Sequence, residues 1–448
     1  LSARAEDAPG IDAQSDRLAP RPAAARLGET RRQQPGQQQP PRVADLLKQY
    51  AADFVREHRS QAPPHVQSTL AKLSLCRTPA LGGHVYECRT CEHRAVVHNS
   101  CGDRHCPQCG GAKRRDWLDS SAQLLLPGVT YYQVVFTIPD KLSSLTLGNR
   151  QAMFDLLFRS AWQALQRTIE HEQQFEAAAA MMLHTWNQHL EAHVHVHAFV
   201  PGGGPSLQMP DEWKTARPPA QETQNRFWLV DADDLRLAFR TAFLTGLRRL
   251  QARGELNLNG EWLPLRDAAA FEDWLKPLED VKWVTYIQAP PTPDTTPDQV
   301  LKYLARYMTG GPISDRRLVR HEHGHVTFRA RTGKQPGGSD ETEDVRLPGA
   351  EFVRRWALHI LPRGYTKTRR FGGYSNPHRQ RYLAACRELL AADEPPRETA
   401  SASSDAAGSP ESRCPKCESL LACSRSTERP GWMIVMSGPH RPHWYDDG

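Results

Sequence analysis

No stretch of this chain approaches the ~20 consecutive apolar residues that a membrane helix requires, so the sequence predicts no membrane span. The opening residues, Leu1-Ser-Ala-Arg-Ala-Glu-Asp7, lack a basic segment followed by an apolar one, which predicts a chain that is not exported. Neither sign of charge dominates. The 57 Lys and Arg stand against 51 Asp and Glu, a net +6 that leans modestly towards polyanions. No internal repeat stands out. The ten cysteines are not spread as disulfide pairs would be: six fall between Cys76 and Cys109, which points to metal ligation in a reducing compartment.

What is present is enough for two or three domains in 448 residues. Residues 1–41, rich in Pro, Gln, Arg and Ala, cannot bury enough apolar surface to fold and are expected to be a disordered tail. Leu46, Leu47, Tyr50, Ala51, Phe54 and Val55 recur at helical spacing and predict an amphipathic helix over 44–58. A Cys/His array occupies 76–109, and a basic helix is expected from Lys113 to Leu126. A βαββαβα succession follows. Strands are expected at Tyr131–Thr137, Met181–Trp186, His193–Val200, Val281–Gln288 and His325–Arg331, with 181–186 and 193–200 as an antiparallel pair. Helices are expected at 148–170, 231–250, 298–308 and 351–361. The acids opening the helix at Asp231 suit capping. Pro201-Gly-Gly-Gly-Pro205 reads as a turn or a phosphate cradle, 202–226 as a loop, and 391–411 as a linker.

The array supplies eight soft or borderline ligands: Cys76, His84, Cys88, Cys91, Cys101, His105, Cys106 and Cys109. The CxxC pairs Cys88/Cys91 and Cys106/Cys109 are spaced as the two knuckles of a zinc ribbon. Cys76, His84, Cys101 and His105 are then expected to complete a second site, with His93 and His98 competing. One ion or two are both compatible with the spacing. Near the C-terminus Cys414-Pro-Lys-Cys417 is another knuckle, with Cys423, His440 and His443 downstream, and reads equally as a zinc knuckle or an unmetallated tail.

His193, His195 and His197 alternate within an apolar run. In a strand all three imidazoles project from one face, with Val194, Val196 and Ala198 on the other. They are either metal ligands or a solvent-facing surface that happens to carry histidine. Tyr303 and Tyr307, four apart on an expected helix, share a face and are either nucleophiles towards a polarised phosphate or an ordinary packed pair. Basic residues from Arg354 to Arg381 are interleaved with Trp356, Tyr365, Phe371 and Tyr374, a composition that suits nucleic acid or a solvated cationic face.

Taken together the motifs resemble the rolling-circle transposases typified by insertion sequence 91. The resemblance runs through the cysteine array from Cys76 to Cys109, Leu183-His-Thr-Trp-Asn-Gln188, His193-Val-His-Val-His197 with Val200-Pro-Gly-Gly-Gly204, and Tyr303-Leu-Ala-Arg-Tyr307. It continues through Ile313-Ser-Asp-Arg-Arg-Leu318, Phe352-Val-Arg-Arg-Trp356 and His359-Ile-Leu-Pro362, in the family's order over about 44–376. Met308-Thr-Gly-Gly-Pro312 is more glycine-rich than the family pattern, and the leader lies outside it.

The resemblance implies an α+β fold: an HUH (His-hydrophobic-His) endonuclease-like antiparallel sheet with flanking helices over 113–390, behind a small zinc-ribbon-like DNA-binding domain at 42–112. A linker and C-terminal tail would make up 391–448. It implies a transposase that nicks and rejoins single-stranded DNA at element ends through a 5′-phosphotyrosine. His195 and His197 would hold Mg²⁺ or Mn²⁺, Tyr303 and Tyr307 would attack, and Zn²⁺ would be structural. Gln188 and His184 are candidates for a third catalytic ligand. Arg306, Arg316, Arg317, Arg354, Arg355, Arg369 and Arg370 are the expected phosphate contacts. The implied partners are transposon ends and target DNA, in a bacterial cytoplasm at the nucleoid. A plasmid replication initiator or relaxase is the rival enzyme; a non-catalytic zinc-dependent DNA-binding protein is the other rival.

Overall fold

The computed structural model describes residues 41–110, 120–217, 229–288, 311–334, 340–392 and 413–445. The expected helix at 298–308, with Tyr303, Arg306 and Tyr307, lies outside them, as do residues 113–119 of the expected basic helix. In chain order the described elements begin with α1 (Val43–Glu57), α2 (Pro64–Ser74), β1 (Gly83–Cys88) and β2 (Arg94–His98). Then come β3 (Tyr131–Thr137), α3 (Arg150–Thr168), β4 (Ala178–Trp186), β5 (Ala192–Pro201), β6 (Gly203–Pro205) and β7 (Trp213–Thr215). α4 (Ala232–Ala252), α5 (Ala268–Asp280), β8 (Val284–Gln288), β9 (Leu318–Glu322), β10 (His325–Lys334) and β11 (Asp340–Pro348) follow. The chain closes with α6 (Gly349–Ala357), β12 (Thr368–Gly372), α7 (Arg379–Ala392), β13 (Leu421–Thr427) and α8 (Trp432–Ser437). Among the described residues no helix is long and apolar enough to cross a membrane.

The central sheet has the order β12-β4-β5-β3-β8, and every neighbouring pair is antiparallel. Alternation decides its two faces. Met181, Leu183, Val194, Val196, Ala198, Val134 and Phe136 are buried against Phe154, Leu157 and Phe158 of α3 and Phe239 and Phe243 of α4. Burying a side chain of this size is worth about 1.5–3 kcal/mol, so this layer fixes the sheet's register. On the opposite face Tyr131, Ala178, Ala180, Met182 and Phe199 pack against Tyr374, Tyr382, Leu383 and Cys386. That cover stops short of one end, and there the histidines stand. Asp231 caps α4, its carboxylate accepting from the Asp233 and Asp234 amides at 2.8 and 3.0 Å. The glycines at 203 and 204 serve packing: a Cβ on Gly204 would meet the Glu176 carbonyl oxygen at 2.6 Å, and one on Gly203 the Trp213 ring at 2.7 Å.

A second core joins the chain's two ends. Leu46, Leu47, Phe54 and Leu70 of α1 and α2 bury with Cys76, Cys101, Cys106 and Cys109, with Val326 and Phe328 of β10, and with Phe352 and Trp356 of α6. β1 pairs with β2 on one side and with β13 on the other, so the cysteine-rich sheet runs β13-β1-β2. The unit expected over 42–112 therefore shares its core with 313–360, and its sheet with the segment at 413–445.

Within α6, Glu351 accepts from Arg354 at 2.7 Å and from Arg355 at 2.8 Å. The Arg354 guanidinium foremost, with Arg355 beside it, holds this carboxyl at about 2 instead of 4.5. A carboxyl held low stabilises the fold above its unfolded value, and that contribution is lost as pH falls from about 4.5 towards 2. Thermal melts over this window are expected to show the wild type losing an advantage that Glu351→Gln never has. Parallel pH profiles for the two proteins would refute it.

Candidate functional site

The turn between β4 and β5 brings His184 opposite His195, and Met182 opposite His197. Directly opposed residues in an antiparallel pair share a face, so the three imidazoles converge. Ring centroids are 5.3 Å apart for His184–His195, 4.5 Å for His184–His197 and 5.0 Å for His195–His197. One ring nitrogen from each lies within 4.8 Å of the other two. Burial pushes His195 down to about 3, with His197 and then His193 adding to it, and burial pushes His197 down to about 4. Neutral imidazoles with converging lone pairs are a metal-binding donor set, so the residues present fit an ion.

The ring orientations are set by outer contacts. His195 Nδ1–H donates to the His193 carbonyl at 2.9 Å, which leaves Nε2 bare. The Gln133 side-chain amide meets His197 Nδ1 at 2.7 Å. Turning the amide oxygen to the ring makes Nδ1 the donor and leaves the lone pair on Nε2. His184 stacks on Trp186 at 4.5 Å. His193 drops out of the group: its Nδ1 lies 3.2 Å from Asp140, at the partly exposed rim. Of the two candidate third ligands, Gln188 turns its amide oxygen towards the Arg331 amide at 3.5 Å, and His184 joins the cluster.

Lys367, one of the basic residues between Arg354 and Arg381, lies beside this site, where its charge acts on His195 and His197. Its ammonium sits 5.0 Å from the Trp186 ring centroid, and burial, then Arg104, pushes it down to about 8. His359 is buried and bridges the hairpin, with Nδ1 3.1 Å from the Thr185 hydroxyl and Nε2 3.2 Å from the Leu190 carbonyl. The next residues dock on the cysteine unit: the Leu361 amide donates to His105 Nε2 at 3.2 Å, and Arg104 donates to the carbonyls of Pro362 and Tyr365. The knuckle at 104–106 thus touches the loop that carries Lys367.

The sulfurs are grouped otherwise than the linear spacing suggests. Cys76, Cys101, Cys106 and Cys109 form one group, with Sγ–Sγ distances of 3.7 Å (76–109), 3.7 Å (101–109) and 3.5 Å (76–106). Thiolates about 2.3 Å from a zinc ion stand about 3.8 Å apart along tetrahedral edges, so these distances fit one structural ion. Cys88 and Cys91 do not join Cys106 and Cys109; they meet Cys414 and Cys417. His84 and His105 belong to neither group. His84 Nδ1 lies 2.9 Å from the Ser426 hydroxyl, and His105 Nδ1 3.0 Å from Asp103 while its other nitrogen takes the Leu361 amide. Both ring nitrogens of His105 and one of His84 are thus engaged outside the two sulfur groups.

Several of the arginines expected at phosphates have partners within the fold. Arg354 bonds Glu351 and Gln61; Arg355 bonds Glu351, Glu191 and the His189 carbonyl. Arg369 bonds Asp155 and lies 4.6 Å over the Phe158 ring. Arg317 donates to the carbonyls of Arg329 and Gln188. Trp356, Tyr365 and Tyr374 are buried. These cations and rings take part in the framework. Arg316 is exposed, and Arg370 is half-buried on β12, its guanidinium lowered by burial and by Arg379 beside it.

Comparison with known proteins accords with this architecture. Residues 46–138 match the family model described as "Transposase zinc-binding domain", and 179–381 match the one described as "Putative transposase". The chain is 35% identical over 365 residues to the "Putative transposase y4qJ" of Sinorhizobium fredii, covering 80% of this chain and 87% of that protein. It is 28% identical over 325 residues to the "Transposase for insertion sequence element IS801" of Pseudomonas savastanoi pv. phaseolicola, covering 72% and 73% respectively. No solved structure matches it. With both domains in order around a three-histidine sheet face and a tetrathiolate knuckle, the chain belongs to the transposases of the insertion sequence 91 family.

Proposed function

We propose that this transposase nicks and rejoins single-stranded DNA at element ends through a 5′-phosphotyrosine, in rolling-circle transposition. The observation that carries the reading is the convergence of His184, His195 and His197 on one sheet face. An ion bound there would draw charge from a phosphate oxygen and make the phosphorus electrophilic. Of Mg²⁺ and Mn²⁺, an all-imidazole set favours Mn²⁺, because Mg²⁺ prefers oxygen ligands.

The protein's own groups do the rest. His195 and His197, neutral through burial, offer lone pairs without first losing a proton. Lys367, held beside Trp186, supplies a fixed positive charge for the phosphate. Tyr303 and Tyr307 are assigned as nucleophiles from the family resemblance. A phenol oxygen forms a bond to phosphorus, the bond from phosphorus to the 3′ oxygen breaks, and that oxygen leaves as a hydroxyl while the phenol gives up its proton. Rejoining reverses these bonds on a new 3′ hydroxyl, and two tyrosines permit cleavage and transfer without releasing the covalent strand.

The test is a denaturation-resistant adduct. Full-length protein, Mn²⁺ and a labelled single-stranded element end are expected to give a covalent protein–DNA band that the Tyr303→Phe/Tyr307→Phe double variant lacks entirely. An adduct that survives in the double variant, or no adduct with any end of the element, sinks the reading.

A further inference from the structure

Four thiols from opposite ends of the chain meet beside β1. Cys417 Sγ lies 3.4 Å from both Cys88 and Cys91, and Cys414 Sγ lies 3.5 Å from Cys91. These are a few tenths of an ångström inside the ~3.8 Å edge of a tetrahedral thiolate site and far exceed the ~2.05 Å of a disulfide.

The backbone gives a second, independent observation: the two Cys-x-x-Cys turns are built alike. In the first, the Glu92 amide donates to the Cys88 carbonyl at 3.0 Å and the Cys88 amide to the His93 carbonyl at 2.9 Å. In the second, the Glu418 amide donates to the Cys414 carbonyl and the Cys414 amide to the Ser419 carbonyl, both at 2.8 Å. Glu92 and Glu418, each following the second cysteine, adopt left-handed φ of 56° and 61°. A left-handed glutamate is costly and uncommon, and two at the same place in two turns mark a repeated device. Each turn aims its pair of sulfurs at the other's.

We propose that Cys88, Cys91, Cys414 and Cys417 form a second zinc site, a zinc ribbon whose two knuckles are contributed by the two ends of the chain. Its ion clasps the C-terminal segment onto the N-terminal unit. The match to the zinc-binding family model ends at residue 138, so two of the four ligands lie outside it. A sulfur-only tetrahedral set suits zinc. Beyond the ion, β13 extends the sheet along β1, the Asn99 amide donates to the Thr427 carbonyl at 2.8 Å, and Arg429 donates to the Cys101 carbonyl at 2.6 Å. That last bond links the clasp to a ligand of the first site. Trp432, Met436 and Trp444 then pack against the core that surrounds it. Cys423 is exposed and outside the group.

The full-length protein loaded with Co²⁺ reports sulfur ligation through sulfur-to-metal charge-transfer absorption, which the histidine site does not give. The Cys414→Ser/Cys417→Ser double variant is expected to lose half of that absorption and one zinc per chain, and Cys423→Ser none. A second measurement does not depend on that variant's folding. With a specific protease site placed between 393 and 412, the cleaved C-terminal segment is expected to co-elute with the rest in zinc and to separate on chelation. Unchanged absorption in the double variant overturns the proposal. So does a loss in Cys423→Ser, or a segment that separates with zinc present or stays after chelation.

Discussion

His195→Ala is expected to lower Mn²⁺-dependent strand cleavage by about 10³-fold, because Lewis-acid stabilisation of a transferring phosphate is worth several kcal/mol, and about 4 kcal/mol is three decades in rate. His195 faces His184 across the β4–β5 pair, and its removal leaves two ligands where three converge. The helix-facing side of the sheet is untouched, since Val194 and Val196 project the other way, so circular dichroism should not change. A binding readout separates the ion from the chemistry. Excess Mn²⁺ at about 100 times its dissociation constant stabilises a folded protein by about 2.7 kcal/mol, so it should raise the melting temperature of the wild type and not of His195→Ala. Gln133→Leu should behave more mildly, weakening Mn²⁺ about 10- to 100-fold through loss of the His197 tether. Cleavage by His195→Ala within a few-fold of wild type, with the fold intact, would remove the histidine cluster from the mechanism.

Cys106→Ser is expected to do the opposite kind of damage, to the fold before the chemistry. Structural zinc contributes about 10–16 kcal/mol in isolated zinc-finger peptides, which is as much as a whole domain's stability. Cys106 is buried with Cys76, Cys101 and Cys109 in the core that also holds Leu46, Phe54 and Leu70 of α1 and α2 and Phe352 of α6. Hydrogen exchange should therefore show α1 and α2 losing protection by several orders of magnitude. α3, whose Phe154 and Phe158 belong to the other core, should keep its own. Equal protection in variant and wild type, or full zinc retention by the variant, would show that the four thiols are not a structural site.

Local patterns were legible in the sequence and partnerships were not. The strand Tyr131–Thr137 and the antiparallel β4–β5 pair follow from alternation, and α1 from its apolar spacing, because both are consequences of where successive side chains point. Each CxxC knuckle was equally plain. Which knuckle meets which is a tertiary fact: adjacency suggested Cys88/Cys91 with Cys106/Cys109, while the chain closes the first across 326 residues. The signal was parity, since Cys76 and Cys101 already complete the set of Cys106 and Cys109 and leave two lone knuckles. Arginine spacing could not reveal that Glu191 and Asp155 wait nearby in space, whereas Glu351 stands three and four residues before Arg354 and Arg355 on one helix and was readable. Gln133 was visible as a polar residue at a buried position of an apolar strand, and it meets His197. β11 and β12 were missed because their sequences carry little period of their own; α2 was missed although Val66, Leu70 and Leu73 stand at helical spacing behind Pro64 in its first turn.

The pairing of β1 with β13 also has a timetable. Synthesis at about 5–20 residues per second puts roughly 16–65 s between the appearance of Cys91 and that of Cys417 on the ribosome. Throughout that interval the outer edge of β1 has its hydrogen-bonding groups unmet, the condition in which strands recruit other chains. A copy of the gene that loses its last reading frame to a late frameshift would keep the histidine face and yet make a product that never acquires this covering strand. Decay of the element would then be felt first as aggregation.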